Sequence, residues 1–259
     1  MVAKMRAFVP LTVQALQCER AGKAIMKRFR ELVRAARERF PDDDFFADFE
    51  GGCRLQPSRL KHYRPYNDAL MLLDNKSWIA LREKALEHFR NERNGQRKQA
   101  FFNHLNEAFA YRHLLRRGFK NIRFIEEAKE KRPDLGFVDR GTECYCEVKT
   151  IGLSDDEIKR RETHGVQDGN VYFNLSAGFL NKLAATVETA WTQIRSLGEH
   201  GLIFILINSD DIAHDHDKRH RKQLTEFYQS QGFENLVIKM GYLGNRGIRI
   251  NHRFAVGSP

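Results

Sequence analysis

Residues 133–150 read PDLGFVDRGTECYCEVKT, and this stretch predicts a β-hairpin. Two runs with strand-forming residues, 134–139 and 142–150, lie on either side of the turn Asp139-Arg140-Gly141. A further short run of this kind, 121–125, precedes them. Three consecutive strands are therefore predicted at the centre of the chain.

Helices and further strands are predicted around these three strands. Apolar residues recur every three or four positions at 98–117 and again at 176–197, which is the spacing of one helix face. The continuously apolar run at 201–207 is typical of a strand that is covered on both faces. The last predicted elements are a helix at 217–229 and strands at 236–240 and 247–252. This order of elements predicts a mixed α/β domain.

The N-terminal part of the chain has a different character. Residues 12–40 and 75–91 predict helices, and the turn dipeptide Asn94-Gly95 follows the second one. We place a domain boundary there, between an N-terminal helical region, 1–95, and the α/β domain, 96–259. Between the two helices an irregular connection is predicted from four residues that interrupt regular structure: Gly51, Gly52, Pro57 and Pro65.

Composition narrows the class of protein. The chain has 259 residues, of which 41% are hydrophobic, so wholesale disorder is excluded. No run approaches the roughly 18 consecutive apolar residues of a membrane-spanning helix, so we expect no membrane as a partner. The four cysteines are scattered rather than spaced as a disulfide framework, which favours a cytoplasmic protein. The formal net charge of +10 favours an anionic partner, with nucleic acid ahead of a membrane surface.

The predicted hairpin gathers three charged side chains. Because side chains alternate across a strand, Glu147 and Lys149 project from one face, and hairpin pairing brings Asp134 beside them. Two carboxylates and an ammonium at one end of a sheet predict a site for Mg²⁺ or Mn²⁺, since these ions take oxygen ligands. The lysine would orient or deprotonate a water and neutralise charge on a phosphoryl group. The alternative interpretation is an ion-pair cluster on the surface of an α/β domain.

The spacing of these residues resembles a known motif. Pro133-Asp134, twelve further residues and then Glu147-Val148-Lys149 are similar to the bipartite motif of the PD-(D/E)XK nuclease superfamily. The likeness extends over about residues 98–207. It implies a restriction-endonuclease-like fold, in which helices flank a mixed central sheet. It also implies a Mg²⁺-dependent nuclease, in which Mn²⁺ substitutes, and we expect an endonuclease that acts on DNA.

The resemblance assigns a role to each motif residue. Asp134 and Glu147, together with the backbone carbonyl of Val148, would hold one or two Mg²⁺ ions. Lys149 would position the attacking water. The metal would polarise the scissile phosphate and stabilise the leaving oxygen.

A further acidic residue is expected on the helix before the strands. The pattern of the superfamily usually includes one there, and Glu107 occupies that place. On its helix Glu107 lies at the border of the apolar face, in one stripe with His104 and Tyr111. By resemblance it would be a metal ligand or would hold a metal-bound water. The alternative is a carboxylate on the helix surface that pairs with Arg112 or Arg116.

Basic residues outside the motif predict contacts with nucleic acid. Within residues 12–40 five cations recur at spacings of three and four and form one stripe: Lys23, Lys27, Arg30, Arg34 and Arg37. Such a stripe would follow the phosphates of a strand, and its alternative is a solvated helix face. Five further candidates, for which solvent exposure is again the alternative, are Lys159, Arg160, Arg161, Lys182 and Gln193.

We therefore expect a metal-dependent nuclease that hydrolyses phosphodiester bonds, in DNA rather than in RNA. Two other functions fit the same sequence. The protein could bind nucleic acid without cutting it, as a binding module or an accessory subunit of a larger nuclease complex. Alternatively, the positive charge could serve solubility in a protein with a structural or interaction role. Cutting both strands of a duplex would most simply need two active sites, and hence a homodimer.

Overall fold

The computed structural model of the chain describes residues 26–91, 97–152, 173–207, 216–233 and 235–240. The chain divides into two compact units between Leu72 and Leu73. This division lies upstream of the boundary that we place near residue 95. The helix predicted at 75–91 therefore belongs to the second unit, together with the predicted α/β domain.

The first unit is helical in its described part. Its helices are α1 (Lys27–Arg39), α2 (Phe49–Leu55) and α3 (Pro57–Leu70). The predicted amphipathic helix is confirmed for α1, which buries Phe29, Leu32, Val33 and Ala36. The ring of Phe29 stacks on that of Tyr63 from α3, with 4.7 Å between the ring centroids. Aromatic packing thus joins the first and the last of these helices.

The irregular connection predicted between the helices is wrong, because α2 and α3 fill it. Pro57 is the first residue of α3, where a missing N–H leaves no intrahelical bond unmade. Gly52 lies inside α2, and a Cβ at this position would meet the guanidinium of Arg59 at 2.3 Å. Pro65 lies inside α3, which nevertheless buries Tyr66, Ala69 and Leu70. Tertiary packing here outweighs the local tendency of glycine and proline to break helices.

The second unit is an α/β domain in its described part. Its helices are α4 (Asn75–Glu87), α5 (Gln99–Leu105), α6 (Glu107–Arg116), α7 (Ala177–Arg195) and α8 (Asp217–Gln231). The single helix predicted at 98–117 is divided at Asn106. The side-chain amide of Asn106 is buried and donates to Thr150 Oγ1 at 2.9 Å. Because of this break, Glu107 is the first residue of α6.

A mixed sheet of five strands forms the centre of the described part of this unit. The strands are β1 (Lys120–Phe124), β2 (Leu135–Asp139), β3 (Thr142–Ile151), β4 (Gly201–Ile207) and β5 (Leu236–Met240), in the order β1-β2-β3-β4-β5. The first three are antiparallel, whereas β4 is parallel to β3 and β5 is parallel to β4. The strand predicted at 247–252 lies outside the described residues.

The predicted hairpin is confirmed. Asp139 pairs with Thr142, so the turn has two central residues. Both of them have positive φ, 48° at Arg140 and 86° at Gly141, as a type I′ turn requires. This turn fixes the register, in which Leu135 pairs with Cys146. The end of β3 that carries Glu147 and Lys149 therefore lies opposite the residue that precedes β2, Asp134.

Helices cover the sheet, as the α/β prediction expects. Helix α7 packs on β3 and β4 through a buried face that includes Leu183, Val187 and Ile194. Helix α6 packs against β1 and β3. Every residue of β4 is buried, which confirms that its apolar run lies in a sheet covered on both faces. Among the described helices, none combines the length and the apolar character needed to cross a membrane.

Candidate active site

Asp134 is positioned by a backbone hydrogen bond from the neighbouring strand. Its Oδ2 accepts the N–H of Val148 at 2.9 Å. This contact crosses from the start of β2 to β3, next to Glu147 and Lys149. The three charged residues of the predicted motif therefore lie together in the structure.

Glu147 and Lys149 share one face of β3, as strand alternation predicts. The Lys149 ammonium donates to Glu147 Oε1 at 2.5 Å and to Gln193 Oε1 at 2.6 Å. Gln193, on α7, also donates from Nε2 to the carbonyl of Arg132 at 3.2 Å. The lysine is thus held between a carboxylate and an amide. Gln193, which we predicted as a contact to nucleic acid, lies within this cluster.

Glu107 reaches the same cluster from the start of α6. It is buried, with 3% of its surface exposed. Its Oε1 lies 2.9 Å from the Nζ of Lys84 and 2.9 Å from the Nδ1 of His104. The interpretation of Glu107 as a carboxylate on the helix surface is therefore wrong.

Lys84 is a residue of this cluster that the sequence did not indicate. Its Nζ bridges two carboxylates, since it also lies 3.0 Å from Asp134 Oδ1. Burial alone would lower the pKa of Lys84, but the charges of Glu107 and Asp134 outweigh it and raise the pKa. The residue lies 50 positions before Asp134, on a helix that we assigned to another domain, and its surroundings match no motif.

Two buried carboxylate oxygens in the cluster have no hydrogen-bond partner. They are Glu107 Oε2 and Glu147 Oε2. Burial and the charge of Asp134 raise the pKa of Glu147 to about 8, although Lys149 acts in the opposite direction. Burial and Asp134 also raise the pKa of Glu107. Unpaired buried oxygens are costly, so a cation next to either of them would be stabilising.

The side chains of the cluster are of the type that binds a divalent metal, but they do not form a complete coordination site. Within the described ranges, no three His, Cys, Asp or Glu side chains are grouped as a ready metal site. Instead, one oxygen of each carboxylate is paired with a lysine ammonium. Lys84 pairs with Glu107 and Asp134, and Lys149 pairs with Glu147. The partnerless oxygens of the two glutamates are hard donors of the kind that Mg²⁺ and Mn²⁺ prefer.

The cluster lines an open cleft of about 440 Å³. Besides the residues already described, the lining includes charged side chains of the segment before β2: Glu126, Glu127, Glu130, Lys131 and Arg132. Its walls come from α4, α5, α6, β3, α7 and the segment before β2. Strands, helices and this segment thus present six acidic residues, three lysines and one arginine to one opening that a ligand can enter.

The residues that we predicted as contacts to nucleic acid differ in their exposure to solvent and in their ion pairs. In the basic stripe, Lys27 and Arg34 are exposed and Arg30 is half-buried. Arg37 instead pairs with Glu50 at 2.7 Å and donates to the carbonyl of Phe46. Lys182 is exposed on α7. Four of these predictions lie outside the described residues: Lys23, Lys159, Arg160 and Arg161.

Comparisons with known protein families, with curated proteins and with solved structures find no match to this chain. The motif at 133–149 and the cleft that contains it are therefore the observations from which a function can be inferred.

The pKa of Glu147 leads to a prediction about stability. This carboxyl has a pKa of about 8 in the folded protein and an ordinary value of 4.5. Between these values the folded state binds one more proton than the unfolded state, so the free energy of unfolding falls as pH rises. Glu147→Gln removes the titrating carboxyl and with it this dependence on pH.

We expect the melting temperature of the metal-free parent to fall relative to that of Glu147→Gln as pH rises from about 5 to 8. Calorimetric melting curves of both proteins in EDTA measure this difference. Melting temperatures that change in parallel across this interval would contradict the buried, charge-repelled environment of Glu147.

Proposed function

We propose that this protein is a metal-dependent nuclease of the PD-(D/E)XK superfamily, with a restriction-endonuclease-like fold and DNA as its substrate. One observation carries the proposal. Glu107, Asp134, Glu147 and Lys149, the residues that the resemblance assigns to catalysis, all line one cleft. Three of them are acidic, and two of those have a buried oxygen without a partner.

The proposed cofactor is Mg²⁺, with Mn²⁺ as a substitute. Asp134 and Glu147 would hold it, with Glu107 as a further ligand and, by resemblance, the carbonyl of Val148. When bound, the ion would lower the pKa of a water and stabilise negative charge on the phosphate and the leaving oxygen. The N–H of Val148 would keep the Asp134 side chain oriented, because it donates to the Oδ2 of that residue.

Lys149 would act on the reacting groups directly. Its ammonium is fixed by Glu147 and Gln193 and faces the cleft. A cation at this place would orient the attacking water and offset the charge that develops on the phosphate. Gln193 would act through Lys149, as a positioning residue, because it ties the ammonium to the backbone at Arg132.

The basic surface would supply affinity for the substrate. In the first unit the exposed cations of the predicted stripe are Lys27 and Arg34, and in the second unit Lys182 is exposed. Each cation placed near a phosphate releases condensed counterions, so affinity would fall as salt concentration rises. Arg37 is engaged with Glu50 and would contribute less.

A double charge reversal tests this surface. Lys27→Glu with Arg34→Glu should weaken binding to DNA and flatten its dependence on salt, because two fewer phosphates are neutralised. Fluorescence anisotropy at several salt concentrations measures both quantities. Arg116→Glu with Arg117→Glu, an equal change at two exposed residues at the end of α6, serves as the control. If both double variants lose affinity equally, α1 makes no specific contact.

The activity itself is tested with a panel of substrates. Supercoiled, linear, branched and single-stranded DNA, with RNA for comparison, are incubated with the full chain in Mg²⁺, Mn²⁺ or EDTA. We expect cleavage of at least one DNA in either metal and none in EDTA. Cleavage that persists in EDTA would contradict a metal-dependent mechanism.

One observation favours a second candidate function, a module that binds nucleic acid without cutting it or an accessory subunit of a larger nuclease. In the described residues the lysines already pair with the carboxylates and no finished metal group is present. Retention on DNA without cleavage of any substrate would favour this candidate. We further propose a cytoplasmic location, and a homodimer if both strands of a duplex are cut.

A further inference from the structure

A lysine from outside the motif occupies the carboxylates of the cleft. The Nζ of Lys84 lies 2.9 Å from Glu107 Oε1, 3.0 Å from Asp134 Oδ1 and 3.3 Å from Glu127 Oε1. The side chain of Lys84 is only 15% exposed. Its ammonium therefore sits among three carboxylates, two of which are the proposed metal ligands, rather than in solvent.

We propose that Lys84 is the resident counter-ion of the metal site and that a divalent ion must displace its ammonium from Glu107 and Asp134 in order to bind. Lys84 thereby sets the metal affinity of the cleft. The inference rests on the proposed function, because it takes these two carboxylates to be metal ligands.

The ammonium is an incomplete substitute for a metal ion. It has three donors, and with it in place Glu107 Oε2 stays buried without a partner, as does Glu147 Oε2 in the same cleft. A Mg²⁺ ion accepts six oxygen ligands and would use such donors. The cleft thus holds more carboxylate oxygen than its lysines pair with, which is expected of a site built for a cation of higher charge.

The divalent ion and the Lys84 ammonium would compete for the carboxylates of Glu107 and Asp134. An ion held by Glu107 and Asp134 would use the same two carboxylates that the ammonium contacts at 2.9 and 3.0 Å, so the two cations would lie close together. Repulsion between a divalent and a monovalent cation at such a distance is strong in a partly buried cleft. Removing the charge of Lys84 should therefore raise metal affinity on the order of tenfold or more.

If Lys84 had a purely structural role, its replacement would change metal affinity in the opposite direction. In that case Lys84 would only hold Glu107 and Asp134 together, and its loss would let the two carboxylates separate. Metal affinity would then fall. The direction of the change in affinity distinguishes a displaced counter-ion from a structural brace.

The experiment titrates Mn²⁺ into the metal-free full chain by calorimetry. Two variants remove the charge of Lys84: Lys84→Met keeps the aliphatic stem, and Lys84→Gln retains hydrogen-bond donors, so that the carboxylates stay partnered. Lys76→Met, an equal loss of charge at an exposed position of the same helix, is the control. The Mn²⁺ concentration for half-maximal DNA cleavage gives a second measurement.

We expect both Lys84 variants to bind Mn²⁺ about tenfold more tightly than the parent, or more, and to need less Mn²⁺ for half-maximal cleavage, with Lys76→Met unchanged. Binding by the Lys84 variants but not by the parent would support the inference as well. If the parent binds Mn²⁺ and the Lys84 variants bind it equally or more weakly, the inference fails while the proposed function stands. If neither the parent nor the variants bind Mn²⁺, both fail.

Discussion

Lys149→Met is expected to lower the rate of DNA cleavage by about two to four orders of magnitude, the usual loss for a positioned acid, base or electrostatic stabiliser. The ammonium is fixed between Glu147 and Gln193, so its charge is already oriented before substrate binds. Methionine keeps most of the aliphatic stem and removes the charge. The loss should appear in kcat with little change in KM, because Lys149 would act mainly in the transition state.

Single-turnover cleavage in saturating Mg²⁺ measures this rate. Lys120→Met, the same change at an exposed position at the start of β1, should retain the rate of the parent. Binding of Mn²⁺ to Lys149→Met should persist, since the lysine is not a metal ligand in the proposed mechanism. Cleavage by Lys149→Met at the rate of the parent would remove Lys149 from catalysis.

Asp134→Asn is expected to abolish measurable Mn²⁺ binding. The substitution removes a charge that the proposed metal needs, while the amide oxygen can still accept the N–H of Val148. The fold should therefore remain, and circular dichroism of the variant should match that of the parent. Calorimetric titration with Mn²⁺ measures the loss.

Asp139→Asn is the matched comparison for this variant. Asp139 lies at the other end of β2, next to the hairpin turn, and does not line the cleft. Its replacement should leave Mn²⁺ affinity unchanged. Equal affinity in Asp134→Asn and the parent would show that Asp134 is not a ligand.

The parts of the fold that the sequence predicts well are those set by neighbouring residues. The hairpin follows from two runs of strand-forming residues on either side of Arg140-Gly141, where Gly141 adopts its positive φ without a steric penalty. Once that turn fixes the register, Asp134 must lie near Glu147 and Lys149. Local chemistry therefore sufficed to bring together the three residues of the motif.

The parts that the sequence does not reveal depend on contacts between distant elements. Lys84 approaches Asp134 from 50 residues upstream, and Gln193 approaches Lys149 from 44 residues downstream. No periodicity or spacing encodes these contacts, because they arise only when α4 and α7 pack around the sheet. The same reason explains α2 and α3, where burial stabilises helices that Gly52 and Pro65 would disfavour locally.

Cleavage of DNA by the parent and by Glu147→Gln, purified identically and compared side by side in Mg²⁺, tests the central claim most directly. Glutamine is close in size to glutamate, so the comparison isolates one carboxylate charge and also reveals any contaminating nuclease, which would act in both samples. We predict that the parent cleaves at least one DNA substrate and that Glu147→Gln cleaves none at a comparable rate. Equal cleavage by both proteins, or cleavage by neither on any substrate, would contradict a metal-dependent nuclease with Glu147 in its active site.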